Sequence, residues 1–237
     1  MAGRGAERDA PSMHRLSSRH RGHDRPSPPP APAPARAPVR VLLVEDSAAV
    51  AHRLRAVLNW QPEVYVCQTA TNGHDALLAT RRLAPAACLV SATIGPATAL
   101  RLTDRLKRLA GAPHVLLYAD TVEPVTMAAA RLAGADGVVA RDDDPAAIAH
   151  ALAGIADGVA PPAPLTSRTP QRLADLTEDA DRPIVTMLLL GIHPDEVART
   201  LGIRSRALRS RRQHILYELD EALAVRSAAA RLAAATF

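Results

Sequence analysis

Val-Arg-Val-Leu-Leu-Val-Glu-Asp-Ser, residues 39–47, is the stretch that decides the fold of this chain. Its first six residues are almost all Val and Leu, which is typical of a short buried β-strand. Two carboxylates, Glu45 and Asp46, follow directly, and Asp46 or Ser47 is a suitable N-cap for the helical pattern that comes next. The stretch therefore predicts a strand, a polar edge and a helix in immediate succession.

The same alternation of strand and helix recurs along the next hundred residues. Apolar runs predict four further strands, and the segments between and after them have helical periodicity. The predicted strands are 64–69, 87–91, 114–118 and 137–140, and the predicted helices after the first are 74–83, 98–109, 125–133 and 146–156. Residues 39–158 are thus predicted to form a flavodoxin-like, doubly wound α/β domain with a five-stranded parallel sheet.

The segments that flank this domain differ from it in composition. Residues 1–38 are rich in Arg, Pro and Ala without a periodicity that could bury a face, and they are predicted to be a disordered tail. Residues 159–171 contain four Pro and are predicted to be a linker. Residues 172–237 show only helical patterns and are predicted to form an all-α domain.

Two short helices in this last segment, predicted at 194–201 and 205–219, are separated by a turn at Gly202. This arrangement favours a helix-turn-helix. A further helical pattern at 184–190 precedes them, and residues 221–235 either continue the last helix or form another one.

Composition excludes several classes of function. The chain has 237 residues, of which 2% are aromatic, so recognition of single-stranded nucleic acid by stacking is not expected. The net charge of +5 and the pI near 10 indicate an anionic partner. Cys67 and Cys88 lack metal-ligand spacing and are predicted to be apolar thiols. No apolar run predicts a membrane span and no secretory signal is evident, so a cytoplasmic location is expected.

The residues at the carboxyl ends of the predicted strands mark the position of a site in such a sheet. They are Glu45 with Asp46 after strand one, Ser91 at the end of strand three, Tyr118 at the end of strand four and Arg141 after strand five. No paired nucleophile and base, phosphate-binding Gly loop or zinc spacing accompanies them. The sequence therefore predicts neither an enzyme nor a metal or cofactor site.

The stretch from Val41 to Ser47, together with Gly134-Ala-Asp-Gly137 before the last strand, resembles the receiver domain of bacterial response regulators. The C-terminal helices resemble the LuxR-type helix-turn-helix, and the two parts together resemble the NarL/FixJ family over about residues 39–220. In that family an Asp at the end of strand three accepts a phosphoryl group. An acid pair binds Mg²⁺ beside it, and a Thr or Ser and a Lys contact the phosphoryl group.

This chain departs from that pattern at most positions. Glu45 and Asp46 match the acid pair, but Ser91 stands at the acceptor position, Tyr118 at the hydroxyl position and Arg141 at the Lys position. No Asp or Glu occurs between positions 75 and 104, so no carboxylate can lie at the end of strand three. We therefore expect a receiver without aspartyl phosphorylation, in which Arg141 spans the pocket and pairs with Glu45 or Asp46.

An arginine-rich segment covers the predicted helix-turn-helix and contains no acid between positions 199 and 212. Basic residues outside an apolar stripe are typical of a helix that binds the major groove of double-stranded DNA. The family resemblance implies that Arg206, Arg209 and Arg211 reach bases or nearby phosphates. It implies that Arg199, Arg204 and Arg212 contact phosphate.

The predicted function is that of a sequence-specific transcription regulator in a two-component system, binding DNA as a homodimer. Candidate dimer surfaces are the last receiver helices and the stretch Ala222, Leu223, Val225, Ala229 and Leu232, which could equally pack on its own domain. Two alternatives stay open. One is a regulator gated by a small molecule in the vacated receiver cleft, and the other is an adaptor that docks on a partner regulator.

Overall fold

The computed structural model describes residues 37–95, 98–159 and 169–235. Five strands pair in parallel in the order β2-β1-β3-β4-β5. They are β1 (Val39–Val44), β2 (Val64–Ala70), β3 (Ala87–Ser91), β4 (His114–Ala119) and β5 (Gly137–Ala140). This order places the carboxyl ends of β1, β3 and β4 next to one another, and the predicted doubly wound α/β fold is confirmed.

Helices cover both faces of the sheet. They are α1 (Ala48–Asn59), α2 (Gly73–Leu83), α3 (Ala99–Leu106), α4 (Pro124–Ala133) and α5 (Pro145–Ala156). Because successive strand residues point to opposite faces, Leu42 and Val44 pack with α2, α3 and α4, whereas Val41 and Leu43 pack with α1 and α5. Ser47 is the N-cap of α1, and its hydroxyl accepts the N–H of Val50 at 3.4 Å.

Four helices follow in the C-terminal part, namely α6 (Thr169–Ala174), α7 (Arg182–Leu189), α8 (Pro194–Thr200) and α9 (Ser205–Ala235). Helix α6 begins at Thr169, inside the predicted linker 159–171. Leu173 and Ala174 of this helix are buried in the core, and this packing stabilises the helix. Residues 160–168 of that linker and residues 1–36 of the predicted tail lie outside the described residues. The turn between α8 and α9 contains Gly202 at φ +64°, as the helix-turn-helix pattern predicts.

Helix α9 continues for 31 residues, which resolves the open question about residues 221–235 in favour of one helix. No Gly or Pro occurs between 205 and 235, so nothing in the sequence ends the helix earlier. None of the helices in the described ranges combines the length and apolar character that crossing a bilayer requires.

The C-terminal helices pack directly against the α/β part. Apolar residues of α3 and α4 share one continuous core with residues of α6, α7, α8 and α9, and residues 36–237 form one compact unit. Helix α9 runs antiparallel to α3, because Asp104 of α3 contacts Arg212 and Gln213 while the backbone of Leu100 contacts Asp220. The sequence pattern did not predict this contact between the two parts.

Candidate functional site

The carboxyl edge of the sheet holds a buried polar cluster, which we call the receiver pocket. Glu45 follows β1 and is 2% exposed, Ser91 ends β3 and is fully buried, and Tyr118 of β4 is 1% exposed. The Tyr118 hydroxyl donates a hydrogen bond to Oε2 of Glu45. Each residue lies at the carboxyl end of a strand or directly after it, so the parallel register brings the three side chains together.

Arg141, directly after β5, crosses this pocket and binds groups from three strand ends. Its guanidinium nitrogens lie 3.2 Å from Oε2 of Glu45, 2.9 Å from Oγ of Ser91 and 3.0 Å from Oγ1 of Thr93. A third nitrogen, Nε, lies 2.8 Å from Oδ1 of Asp120. The guanidinium also lies over the ring of Tyr118, 4.8 Å from its centre.

The predicted ion pair between Arg141 and Glu45 is confirmed by this geometry. Asp46, the other predicted partner, is exposed, and its Oδ2 accepts the backbone N–H of Gly95 at 3.2 Å. The acid pair is therefore divided, with Glu45 inside the pocket and Asp46 at its rim. Asp144 caps α5 by accepting the N–H of Ala146 at 3.1 Å.

In the receiver pocket, the carboxylates are paired with a cation of the protein itself. Burial lowers the pKa of Arg141, but the facing oxygens of Tyr118, Glu45 and Asp120 outweigh it, so the net shift is upward. Burial and the hydrogen bond to Glu45 raise the pKa of Tyr118, so the phenol keeps its proton. A divalent cation at Glu45 would have to displace a guanidinium that already occupies the site.

Ser91 lacks the surroundings that make a hydroxyl nucleophilic. Its Oγ lies 3.1 Å from Oγ1 of Thr93 and accepts a hydrogen bond from Arg141. A cation that donates to the oxygen cannot remove its proton, and the neighbouring hydroxyl is no stronger a base. The arrangement holds Ser91 in place rather than activating it.

Three residues of this site were missed from the sequence. Strand β4 ends at Ala119 rather than Tyr118, which brings Asp120 to the sheet edge beside Arg141. Thr93 turns back towards Ser91, two residues after β3. Ser227 of α9 donates to Oδ2 of Asp120 at 2.5 Å. The acid after β4 could have been found by extending that strand by one residue, but no local signal marks Ser227.

The arginines of the helix-turn-helix fall into two groups. Arg199, Arg204, Arg206 and Arg209 are exposed, at the end of α8, in the turn and in the first turns of α9. The apolar stripe on the opposite side of α9 is buried and consists of Leu208, Ile215, Leu216 and Leu219. The sequence pattern predicts Leu208, Ile215 and Leu219 in this stripe, but it also predicts Ala207 there, and Ala207 is exposed. This combination presents a basic outer surface on a helix that is anchored by its apolar side.

Two of the predicted DNA contacts are engaged within the protein instead. Arg212 is 3.1 Å from Oδ1 of buried Asp104 and donates to the carbonyl of Leu132 at 2.7 Å. Nε of Arg211 lies 3.1 Å from Oδ1 of buried Asp181. The sequence did not predict these partners, because it does not show which surfaces lie beside α9. The contacts of Arg211 and Arg212 with DNA stay a prediction.

Asp220 of α9 provides a second polar contact between the two parts. It is 6% exposed, and its carboxylate accepts the backbone N–H groups of Leu100 (2.9 Å) and Arg101 (3.3 Å) at the start of α3. Helix α3 has no side-chain hydrogen bond from its own N-cap residue, Thr98. Burial raises the pKa of Asp220 to about 6, although these backbone bonds oppose the shift.

Two sets of chemically reactive side chains lie away from this site. Cys88 is buried and Cys67 partly buried, both are free thiols, and burial raises the pKa of Cys88 to about 12. One set of potential metal ligands, Glu178, His214 and Glu218, has donor atoms within 4.8 Å of one another, although two of the three residues are exposed. The sequence did not predict this cluster, since Glu178 is far from α9 along the chain.

The comparisons with known proteins agree with this architecture. The model of the response regulator receiver domain matches residues 41–153. This part of the chain is a response regulator receiver domain. The receiver resembles a LuxR-family two-component response regulator from Aurantimonas sp., with 22% identity and a TM-score of 0.51 over 57% of this chain and 97% of that one.

A longer similarity covers the helical part of the chain as well. The transcriptional regulatory protein DesR of Bacillus subtilis is 21% identical over 182 residues, which are 77% of this chain and 90% of DesR. The resemblance to regulators of the NarL/FixJ type is thus confirmed by the receiver domain and by a relative that spans both parts.

Proposed function

We propose that the protein is a sequence-specific DNA-binding transcription regulator whose receiver domain works without aspartyl phosphorylation. The observation that carries the DNA-binding part is the exposed arginine surface of α8 and α9, held on a helix-turn-helix behind a receiver domain. The relative DesR is a transcriptional regulatory protein of similar extent, which supports the same conclusion.

The proposal that phosphorylation is absent depends on the receiver pocket. A phosphorylatable receiver needs a carboxylate at the end of β3, and Ser91 is there, bound to Arg141. Glu45, which would contribute to a Mg²⁺ site, is paired with the same guanidinium. In a working receiver, Mg²⁺ provides the positive charge of this pocket, whereas here the side chain of Arg141 provides it. Because this cation cannot dissociate, the pocket keeps a single state.

The contacts with DNA are assigned to the exposed arginines. Arg206 and Arg209 are on the outer side of α9 and are proposed to reach base edges, while Arg199 and Arg204 are placed for phosphates. Helix α3 lies along the side of α9 that carries Arg212 and Gln213. Full entry of α9 into the major groove therefore requires these contacts with Asp104 to break.

Binding as a homodimer is part of the proposal, because a single small helix-turn-helix recognises only one half-site. Leu223 is partly buried against the common core, so this portion of α9 packs on its own protomer. Val225 and Leu232 are 70% and 71% exposed and leave an apolar surface farther along the same helix. This exposed part of α9 is the proposed dimer contact.

The two alternatives receive different support from the structure. A metabolite bound at Glu45 and Ser91 would have to displace Arg141, which contacts both residues. An adaptor that docks on another regulator would not need Arg209. DNA binding at moderate salt therefore discriminates between the adaptor and the proposed regulator.

We predict that Arg209→Ala abolishes specific DNA binding. A genome-wide pull-down with the purified protein would identify its sites, and footprinting on one of them would compare the variant with the wild type. A bidentate Arg contact to guanine contributes about 1–3 kcal/mol of discrimination. Arg53→Ala, on the exposed outer side of α1, is the control and should bind normally. A normal footprint with Arg209→Ala would refute the assignment.

We predict that phosphoryl donors leave the protein unmodified. Incubation with acetyl phosphate and Mg²⁺, followed by intact-mass measurement at neutral pH, should show no added phosphoryl group. Beryllofluoride should likewise leave DNA affinity unchanged, because Arg141 occupies the pocket that the complex would need. A stoichiometric mass increase mapped to the receiver pocket would contradict the proposal.

A further inference from the structure

Helices α2 and α3 of the receiver form an open basic groove that the proposed function does not use. Its walls include His74 and Arg81 of α2 and Arg101 and Arg105 of α3. Leu77 and Leu102 contribute the apolar floor, and no acidic side chain lines the groove.

The arginines of this groove are not used to stabilise the fold through ion pairs. Within the described residues, Arg81, Arg101 and Arg105 form no salt bridge, whereas the acid of α2, Asp75, faces the opposite side of that helix beside Arg82. Arg101 lies over the ring of Tyr217 of α9 at 5.5 Å, which fixes its position next to that helix. Three guanidinium groups thus share one groove, and Asp220 of α9, which faces Arg101, is the carboxylate near them in the described part of the chain.

The basic surface continues from this groove onto α9. Arg105 follows Arg101 one turn later along α3, and Arg108 lies two residues beyond the end of that helix. At the far end, Asp104 is the carboxylate shared by Arg108 and Arg212. Arg209 is close enough to Arg108 that its charge helps to lower the pKa of Arg108, after burial. A single acid is therefore surrounded by an excess of positive charge.

We propose that this α2–α3 groove is a second DNA-binding surface, which holds the phosphodiester backbone without reading sequence. The inference rests on the proposed function, because DNA is chosen over other anions by the continuity of the groove with the arginines of α9. Arginine binds phosphate bidentately, and such contacts set affinity and salt dependence rather than specificity. The receiver then keeps the protein on DNA while Arg212 of α9 is still bound to Asp104.

The test is salt-dependent binding of the full-length protein to a fluorescent duplex of random sequence. The triple variant Arg81→Gln/Arg101→Gln/Arg105→Gln is compared with Arg40→Gln/Arg53→Gln/Arg55→Gln, which removes the same charge from exposed positions on β1 and α1. Each lost phosphate contact lowers the slope of log affinity against log salt by about 0.9. We expect a decrease of up to about 2.7 for the groove variant and almost none for the control.

A second variant separates the groove from the packing of α9. Arg81→Gln/Arg105→Gln leaves Arg101 on Tyr217 untouched and should lower the slope by up to about 1.8. Equal effects of the groove and control variants would overturn the inference. It would also be overturned if the groove variant lost affinity for poly-glutamate as strongly as for the duplex, since the groove would then fit an acidic protein.

Sequence-specific binding tests the proposed function separately. Arg209→Ala should remove the preference for a selected site over random DNA, while the groove variant keeps that ratio and lowers both affinities. Loss of the groove effect with a normal ratio would reject only the second surface. A groove effect without any sequence preference in the wild type would reject only the proposed function.

Discussion

At the scale of single residues, Arg141 decides the chemistry of the receiver pocket. One planar guanidinium contacts Glu45, Ser91, Thr93 and Asp120 at distances between 2.8 and 3.2 Å. Lysine at the same position would bring one compact charge and could not span these four groups together. The planar guanidinium of Arg141 thus joins the ends of β1, β3 and β4 through ion pairs and hydrogen bonds.

We predict that Arg141→Ala destabilises the protein by about 2–4 kcal/mol, because it leaves the carboxylate of Glu45 buried without its cation. Arg141→Lys should cost about half as much, since the charge is kept but most of the contacts are lost. Urea unfolding monitored by circular dichroism measures both variants. Arg53→Ala serves as the exposed control and should stay within about 0.5 kcal/mol of the wild type. An Arg141→Ala variant as stable as this control would contradict the account.

At the scale of elements, α3 and α9 depend on each other. Helix α3 has only eight residues and begins without a side-chain cap of its own, and Asp220 of α9 accepts its first N–H groups instead. Such a carboxylate satisfies amides that a helix leaves open and interacts favourably with the N-terminal dipole. Helix α9 in turn can provide it only because it continues past Leu219 without a break. The length of one helix therefore determines the stability of another.

At the scale of the whole molecule, the two parts of the chain are joined by charged contacts as well as by apolar packing. The Asp104–Arg212 pair, the Asp220 contact with α3 and the Ser227–Asp120 hydrogen bond lie along one side of α9. The last of these leads to Arg141 through Asp120. The receiver pocket and the DNA-binding helix are thus connected by a short chain of polar contacts.

We predict that docking of α9 on the receiver strengthens as the pH falls. Burial raises the pKa of Asp220 to about 6 in the docked form, whereas an undocked carboxyl titrates near its ordinary value of 3.8. The docked form therefore binds the proton more tightly, and this stabilisation is lost as the pH rises through about 6. Between pH 7 and pH 5 the docking equilibrium should shift by about tenfold towards the docked form.

Hydrogen exchange at the amides of Leu100 and Arg101, corrected for intrinsic pH effects, reports this equilibrium. Arg101 is the cation that faces Asp220 from α3, and it lowers the pKa only slightly compared with burial. Asp220→Asn keeps an acceptor oxygen without a titratable proton and should remove the pH dependence. Protection that changes with pH in this variant as in the wild type would show that another group is responsible.

The sequence alone determined the sheet, because short apolar runs and helical periodicities are local signals. It also determined that no carboxylate lies at the end of β3. No Asp or Glu occurs between positions 75 and 104, so this conclusion does not depend on the exact bounds of the strand. The pairing of Arg141 with Glu45 or Asp46 followed from the position of these residues, because the carboxyl ends of parallel strands meet at one edge. The structure then selects Glu45 as the partner.

Which charged side chains are exposed and which are bound within the protein follows only from the packing of the elements. Arg206 and Arg212 look equivalent in the sequence, but Arg206 is exposed while Arg212 is bound to an aspartate of α3 more than a hundred residues away. The same holds for Asp120 and Ser227, and for the arginines that α2 and α3 bring into one groove. These contacts join elements that are distant along the chain. The periodicity of a sequence indicates which side of a helix is buried, but it does not identify the elements that pack against that helix.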